Sequence, residues 1–464
     1  MRLKDLHIVY FIGVGGIGMS AIARWFNQNG IEVHGYDRSN TPLTQSLEEE
    51  GIKIHYEDNV ECIPSKLFDD ISKSLVVYTP AVPILHKELC YLKEKEIEIM
   101  KRSEVLGLIT KDIFTIAVAG THGKTTTSSM VAHILKSSGK DITAFMGGVS
   151  TNYNSNLIVN KELKEDTIAV VEADEFDRSF LTLHPNMAIV TSMDADHLDI
   201  YDNKNALHDS FKKFISQVQK EGRLFINEKL ENEIDTKSLN IETDTYGIDQ
   251  GHFFAVNLRI TNGFFEFDFC GGGHEINGLS LSVPGYHNVE NMIAAIAVSL
   301  QAGVNEDEIK KAVATYSGVK RRFEYIIRSE KVIYIDDYAH HPTEIEAFLK
   351  SVKAIYPDKN ITAVFQPHLF SRTRDFAEGF AQSLNYADKV VLMDIYPARE
   401  LPIEGITSEI VYKDIVVEKY STDKQNLLKV LEALDLEVVV TIGAGDIDQF
   451  VSKIKNNLIE KYSV

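Results

Sequence analysis

Two apolar strands in this chain each run straight into a glycine-rich turn and then into a helical pattern, around residues 8–28 and 116–138. That repeated strand, turn and helix order constrains the chain to α/β architecture with parallel sheets. The first turn, GVGGIG, satisfies G-x-G-x-x-G with Gly13, Gly15 and Gly18, and Asp37 follows the next strand where an acidic ribose partner belongs. Such a turn brings backbone close to a diphosphate and aims a helix N-terminus at negative charge. Taken alone the motif leaves three readings open: a dinucleotide cofactor, another diphosphate, or a structural glycine turn.

The second turn has a different design. Gly120, Thr121, His122, Gly123, Lys124, Thr125 and Thr126 form a shortened phosphate loop, because a full G-x-x-x-x-G-K-T would need glycine at 118, where Val118 stands. The working parts remain: amides around Gly123 for phosphate oxygens, Lys124 for the β/γ charge, and the Thr125 hydroxyl for Mg²⁺. ATP is the expected ligand. Its magnesium needs hard oxygen donors at neighbouring strand ends. Glu172 in VVEADEFD offers one, and SMDADHLDIY offers Asp194 and Asp196, with His197 beside them as a nitrogen donor, which is unusual for Mg²⁺.

At 464 residues the chain is too long for one ordinary core, and its texture changes twice. We expect three domains: 1–106, Rossmann-like; 107–318, a phosphate-loop domain that takes in antiparallel hairpins between 253 and 283; and 319–464, a second Rossmann-like domain opening on KVIYID. The formal charge of −20 argues against a duplex nucleic acid partner, which requires clustered Lys and Arg. No apolar stretch reaches the roughly 20 residues of a membrane span. Cys62, Cys90 and Cys270 are scattered and lack metal spacing, so a reducing, cytoplasmic setting is expected.

Polar clusters recur at strand and helix ends. GYHNVEN starts an apolar helix with His287, Asn288 and Asn291, where capping competes with ligand binding. VKRRFE reads equally as a surface charge cluster. DDYAHHPTEI places Asp336, Asp337, Tyr338, His340 and His341 after one strand, and FQPHLFSRTRD places His368, Arg372 and Arg374 after another. Open α/β sheets bind ligands at such carboxyl ends.

In order, GVGGIGMS, GTHGKTTT, EADEFD, DADH, GYHNVEN, VKRRFE, DDYAHHPTEI, QPHLFSRT and DIYPARE resemble the Mur ligases of bacterial cell-wall synthesis, from residue 8 to about 450. The resemblance implies an ATP-dependent ligase that joins L-alanine to the lactyl carboxylate of UDP-N-acetylmuramate through an acyl phosphate. By the same resemblance, Lys124 binds the β/γ phosphates, Thr125 and Glu172 hold magnesium, and His197 holds a second ion. Asn291 meets adenine, Arg322 the phosphates and Asp337 the ribose. Tyr338, His340, His368 and Arg372 shape the alanine pocket, with Arg372 on the amino-acid carboxylate, while Gly15, Gly16, Ile17, Asp37 and Arg102 face the UDP-sugar. The expected assembly is a monomer or homodimer. Three departures stand out: Phe176 and Leu369 replace the usual serine and arginine, and TPAV at 79–82 replaces a serine-rich stretch. Three alternatives stand beside this reading, one of them a non-enzymatic phosphate-loop switch or scaffold, which would leave the polar clusters of the third section unused. A murein tripeptide recycling ligase would lack the QPH-x-x-SRT segment, and an NAD-dependent dehydrogenase would leave the GKTTT loop idle.

Overall fold

The computed structural model describes residues 3–83, 85–160, 166–194, 201, 204–236, 239, 241–398 and 400–464. Three sheets organise them. The first is fully parallel, in the order Lys53–His55, Glu32–Tyr36, Ile8–Ile12, Ser74–Tyr78, Glu98–Lys101. Its central strand is buried along its whole length and feeds the glycine turn, so the turn emerges where the strand order reverses. Helix Ile17–Gln28 follows and buries Met19, Ile22, Trp25 and Phe26 against the sheet before ending ahead of Gly30.

The second sheet has ten strands. Its parallel centre runs Arg223–Asn227, Met187–Val190, Phe114–Ala119, Ile168–Ala173, Ile142–Ser150, with Ser155–Val159 antiparallel at one edge. Glu242–Gly247 and then Phe253–Thr261, Phe264–Gly271 and His274–Leu281 continue the other side. The turns between the last three carry Asn262 and Gly263, then Gly272 and Gly273, all at positive φ, which is the geometry tight hairpins need. Helix Lys124–Ser137 leaves the phosphate loop, and helix Tyr286–Gln301 follows the hairpins.

The third sheet runs Glu324–Arg328, Ile333–Asp337, Val438–Ile442, Ile361–Phe365, Lys389–Met393, Glu418–Thr422. It is parallel apart from the antiparallel first strand. Contacts divide the chain into two units: Met1–Val256 with Asp268–Leu279 and Glu290–Tyr316, and Asn257–Phe267 with Ser280–Val289 and Ser317–Val464. Within the first unit one apolar core runs from Phe11, Ile22 and Phe26 through Ala117, Phe145 and Val171 to Phe211 and Phe214, so the first two sheets share packing. Among the described residues no helix is long and apolar enough to cross a membrane.

Candidate active site

The phosphate loop keeps its shape through residues that only a compact backbone permits. Gly120 has φ +136°, and a Cβ there would lie 2.0 Å from Thr191 Oγ1. The loop is tied to the neighbouring strand end: the His122 amide donates to Ser192 Oγ (2.8 Å), and Thr121 Oγ1 lies 3.0 Å from the same hydroxyl. Gly123 caps helix Lys124–Ser137 in a left-handed conformation with no side-chain cap, leaving the first amides without the usual hydroxyl or carboxylate acceptor. A phosphate oxygen is an acceptor of the kind that free helix N-terminal amides take. Thr121 and Thr126 are buried within the loop and its first helical turn.

Lys124 donates to Gly120 O (2.7 Å) and pairs with the fully buried Glu175 carboxylate at 2.8 Å. Burial opposes its charge, but the Glu175, Asp174 and Glu172 carboxylates outweigh that and hold its pKa above the ordinary lysine value. The cation is therefore kept charged and pre-placed. Thr125 Oγ1 donates to Glu172 Oε2 (2.8 Å), as does the Gly147 amide (2.9 Å). A Cβ at Gly147 would come within 2.1 Å of that oxygen, so glycine is what lets the strand Ile142–Ser150 approach. A hydroxyl and a carboxylate this close form a hard-oxygen pair of the kind Mg²⁺ takes. His197 and Asp196 lie outside the described residues. Asp194 is described, 3.4 Å from His122.

Glu172 also lines a cavity of about 260 Å³. Gly16, Ile17 and Arg102 from the first sheet's side face Phe145 and Gly147 from the second. Arg102 packs against Gly18 and reaches Asp174 at 3.5 Å, while Asp37 Oδ2 accepts the Gly15 amide at 2.7 Å and so closes the glycine turn from below. Within GYHNVEN the two asparagines part company. Asn288 Nδ2 donates to Pro284 O (2.7 Å) at the helix start, whereas buried Asn291 stands against Gly123, where a Cβ would meet its Oδ1 at 2.8 Å.

In the second unit, Asp336 is held by Arg321 (3.0 Å) and Thr441 (2.6 Å), and His341 caps helix Pro342–Ile355; these residues maintain the fold. Arg322 lies over the Tyr338 ring at 5.0 Å. Tyr338, His340, His368 and Tyr396 form a row of rings with successive centroids 5.4, 6.5 and 5.8 Å apart. The His340 Nδ1–H donates to Tyr338 O (3.1 Å). Leu369 takes φ +68°, an uncommon conformation for a branched residue, and its amide donates to Tyr396 O, which turns His368 toward Tyr396. Arg372 is buried, whereas Arg374 is half exposed and paired with its neighbour Asp375. Sequence reasoning missed Glu175, Gly147 and Tyr396; of these, Glu175 and Tyr396 stood inside motifs already quoted.

Asp337 accepts the Phe323 and Ala339 amides, both at 2.7 Å. Burial pushes its pKa up to about 6, against the pull of Arg322 and those two amides. The folded value lies above the unfolded one (~3.9), so this group's stabilisation is complete below about pH 4 and is lost as the pH rises through about 6, roughly 3 kcal/mol in all. Asp337→Asn, neutral throughout, should flatten that part of the profile. Urea unfolding of both proteins between pH 4 and 7 checks this; parallel profiles would contradict it.

One cavity is lined by the glycine-turn helix and by Glu172, the carboxylate that holds the phosphate-loop Thr125, an arrangement of the kind a two-nucleotide enzyme needs, and the sequence comparisons give its family. The models of the Mur ligase family catalytic domain, the Mur ligase middle domain and the Mur ligase glutamate ligase domain match residues 8–113, 118–299 and 321–445. The chain belongs to the Mur ligase family, whose members are ATP-dependent. More particularly, it is 51% identical over 462 residues to the UDP-N-acetylmuramate–L-alanine ligase of Flavobacterium johnsoniae, covering 99% of this chain and 100% of that protein. It is 45% identical to the enzyme of the same name from Cytophaga hutchinsonii, covering 100% and 99%. The crystal structure of the UDP-N-acetylmuramate-alanine ligase of Thermotoga maritima superposes with a TM-score of 0.81 at 28% identity, over 98% of this chain and 99% of that one.

Proposed function

We propose that this protein is an ATP-dependent ligase that joins L-alanine to the lactyl carboxylate of UDP-N-acetylmuramate, releasing ADP and phosphate. The observation that carries the reading is the shared cavity: Glu172, hydrogen-bonded to the phosphate-loop Thr125, forms one wall, and the glycine turn with Arg102 forms the opposite one. Full-length relatives of that name support it. The recycling ligase is not favoured: the Psychrobacter arcticus murein peptide ligase is 22% identical to this chain, a likeness that speaks for the fold alone. A dehydrogenase would leave the Lys124–Glu175 pair and the uncapped helix without a task.

A carboxylate is a poor electrophile beside an amine, which would simply deprotonate the acid. Its oxygen therefore attacks the γ-phosphorus, the bond to the β-phosphate oxygen breaks, and ADP leaves. The alanine amine then attacks the acyl carbon; the C–O bond to phosphate breaks and the ammonium loses its proton. Lys124 would offset the charge of two approaching anions, and the uncapped amides of the helix would hold the phosphates. Thr125 and Glu172 would hold Mg²⁺, with His197 proposed for a second ion; magnesium would neutralise charge developing between the β- and γ-phosphates. Asn291, Arg322 and Asp337 would meet adenine, phosphate and ribose, and Gly120 to Thr126 would wrap the phosphates. Gly15, Gly16, Ile17, Asp37 and Arg102 would hold the UDP-sugar. Tyr338, His340, His368 and Arg372 would form the amino-acid pocket. The domain boundaries at 106/107 and 318/319 belong to the same proposal.

A heavy-oxygen label tests the chemistry. With the lactyl carboxylate labelled, one labelled oxygen should appear in the released phosphate, because it bridges carbon and phosphorus in the intermediate. Phosphate free of label would exclude the acyl-phosphate route.

A further inference from the structure

The glycine-motif helix is met by a polar side chain that stands in none of the motifs. Asn156, fully buried on the edge strand Ser155–Val159, donates from Nδ2 to Ile17 O (2.6 Å) and to Ser20 Oγ (2.9 Å), and its Oδ1 accepts from Arg24. Arg24 is 3% exposed and is itself fixed by Glu50 (2.6–2.9 Å) and Ser46 (3.0 Å). Both amide N–H donors and the carbonyl of Asn156 are therefore engaged. Two of its partners, Ile17 and Ser20, lie in the first turn of the glycine-motif helix, where Ile17 lines the cavity, and Arg24 lies further along the same helix. Its own strand pairs with Ile142–Ser150, and Asn156 lies opposite the register shift between Phe145 and Ser150, the stretch where Gly147 turns its amide to Glu172.

We infer that Asn156 is a positioning residue for phosphoryl transfer: it fixes the separation between the sugar-nucleotide helix and the Glu172 wall across the cavity. The inference rests on the ligase reading above. Apolar packing holds two elements together without fixing their relative slide, whereas a fully engaged buried amide is directional. The reaction depends on such a fixed separation, since a shift of about 1 Å between reacting groups can cost on the order of 10²-fold in rate. The network touches neither the Gly15–Asp37 closure nor the phosphate loop, and it meets Ile17 of the sugar-nucleotide set only at its main-chain carbonyl, so substrate affinity should change far less than rate.

Asn156→Asp keeps the volume and the Arg24 partner but loses both N–H donors. Expected is a kcat lower by about 10- to 100-fold, with KM for UDP-N-acetylmuramate and ATP, and their calorimetric Kd, within about threefold of the parent. Ser20→Ala removes one of the two Asn156 acceptors together with the Ser20 hydroxyl's own bond to Ile17 O, and should lower kcat a few-fold in the same pattern. A folded Asn156→Asp enzyme with parental kcat, or a loss confined to KM, overturns the inference. Should that variant not fold, Ser20→Ala decides in the same way: reduced kcat at unchanged KM supports the role, and unchanged kcat overturns it. A parent enzyme without alanine-dependent turnover would sink the ligase reading and this inference together, while an active parent beside an unaffected variant sinks the inference alone.

Discussion

Lys124→Ala should lower kcat by about 10²- to 10⁴-fold while UDP-N-acetylmuramate still binds with nearly parental affinity. The lysine is the helix's first residue, held charged by three carboxylates, and its contacts lie in the phosphate loop rather than at the glycine turn. Its removal also takes the cation from the buried Glu175 carboxylate, which should cost about 3 kcal/mol or more of stability. The two effects can be separated. Adding Glu175→Gln should restore much of the lost stability, because no buried charge then lacks its lysine partner, and should restore none of the lost rate. Urea unfolding, single-turnover kinetics and calorimetry with the sugar nucleotide read the three quantities. A double variant that regains activity would mean Lys124 acts only through folding, and loss of sugar-nucleotide binding would contradict the division between the two cradles.

Arg372→Ala should abolish most of the preference for alanine over alanine amide. Arginine can grip a carboxylate through two parallel hydrogen bonds, and leaving such a buried partner unpaired costs about 2 to 5 kcal/mol, or roughly 30-fold and upward in discrimination. The structure favours this arginine over its neighbour: Arg372 is buried at the start of helix Phe370–Leu384, while Arg374 turns outward onto Asp375. The parent should use the amide poorly. In the variant kcat/KM for alanine should fall toward that for the amide, which never used the lost contact, with ATP affinity near normal. Undiminished discrimination in Arg372→Ala would pass the role to His368.

The strands before both glycine turns could be read directly, because an apolar run stopped by glycine has few other solutions. Lys124 and Thr125 were legible for the same reason: local geometry dictates what a phosphate loop presents. Glu175 was not, since EADEFD offers several carboxylates and only the path of the strand decides which one meets the lysine. The same limit separates Asn291 from Asn288 and Asp337 from Asp336, where adjacent residues of one type turn to different partners. Ile142–Ser150 and Ser155–Val159 escaped the sequence reading because TAFMGGVSTNYNSNLIV mixes apolar, glycine and polar residues without either period. Asn156 acquires its meaning only through pairing with a helix 136 residues earlier in the chain.

The most direct test of the account is phosphate release from ATP by the purified protein with UDP-N-acetylmuramate, each of the twenty amino acids being added in turn and the product weighed by mass spectrometry. The account predicts release that needs the sugar nucleotide and is fastest with L-alanine, together with a product heavier than UDP-N-acetylmuramate by one alanyl residue. Release that ignores the amino acid, or an unmodified sugar nucleotide at the end of the reaction, would contradict it.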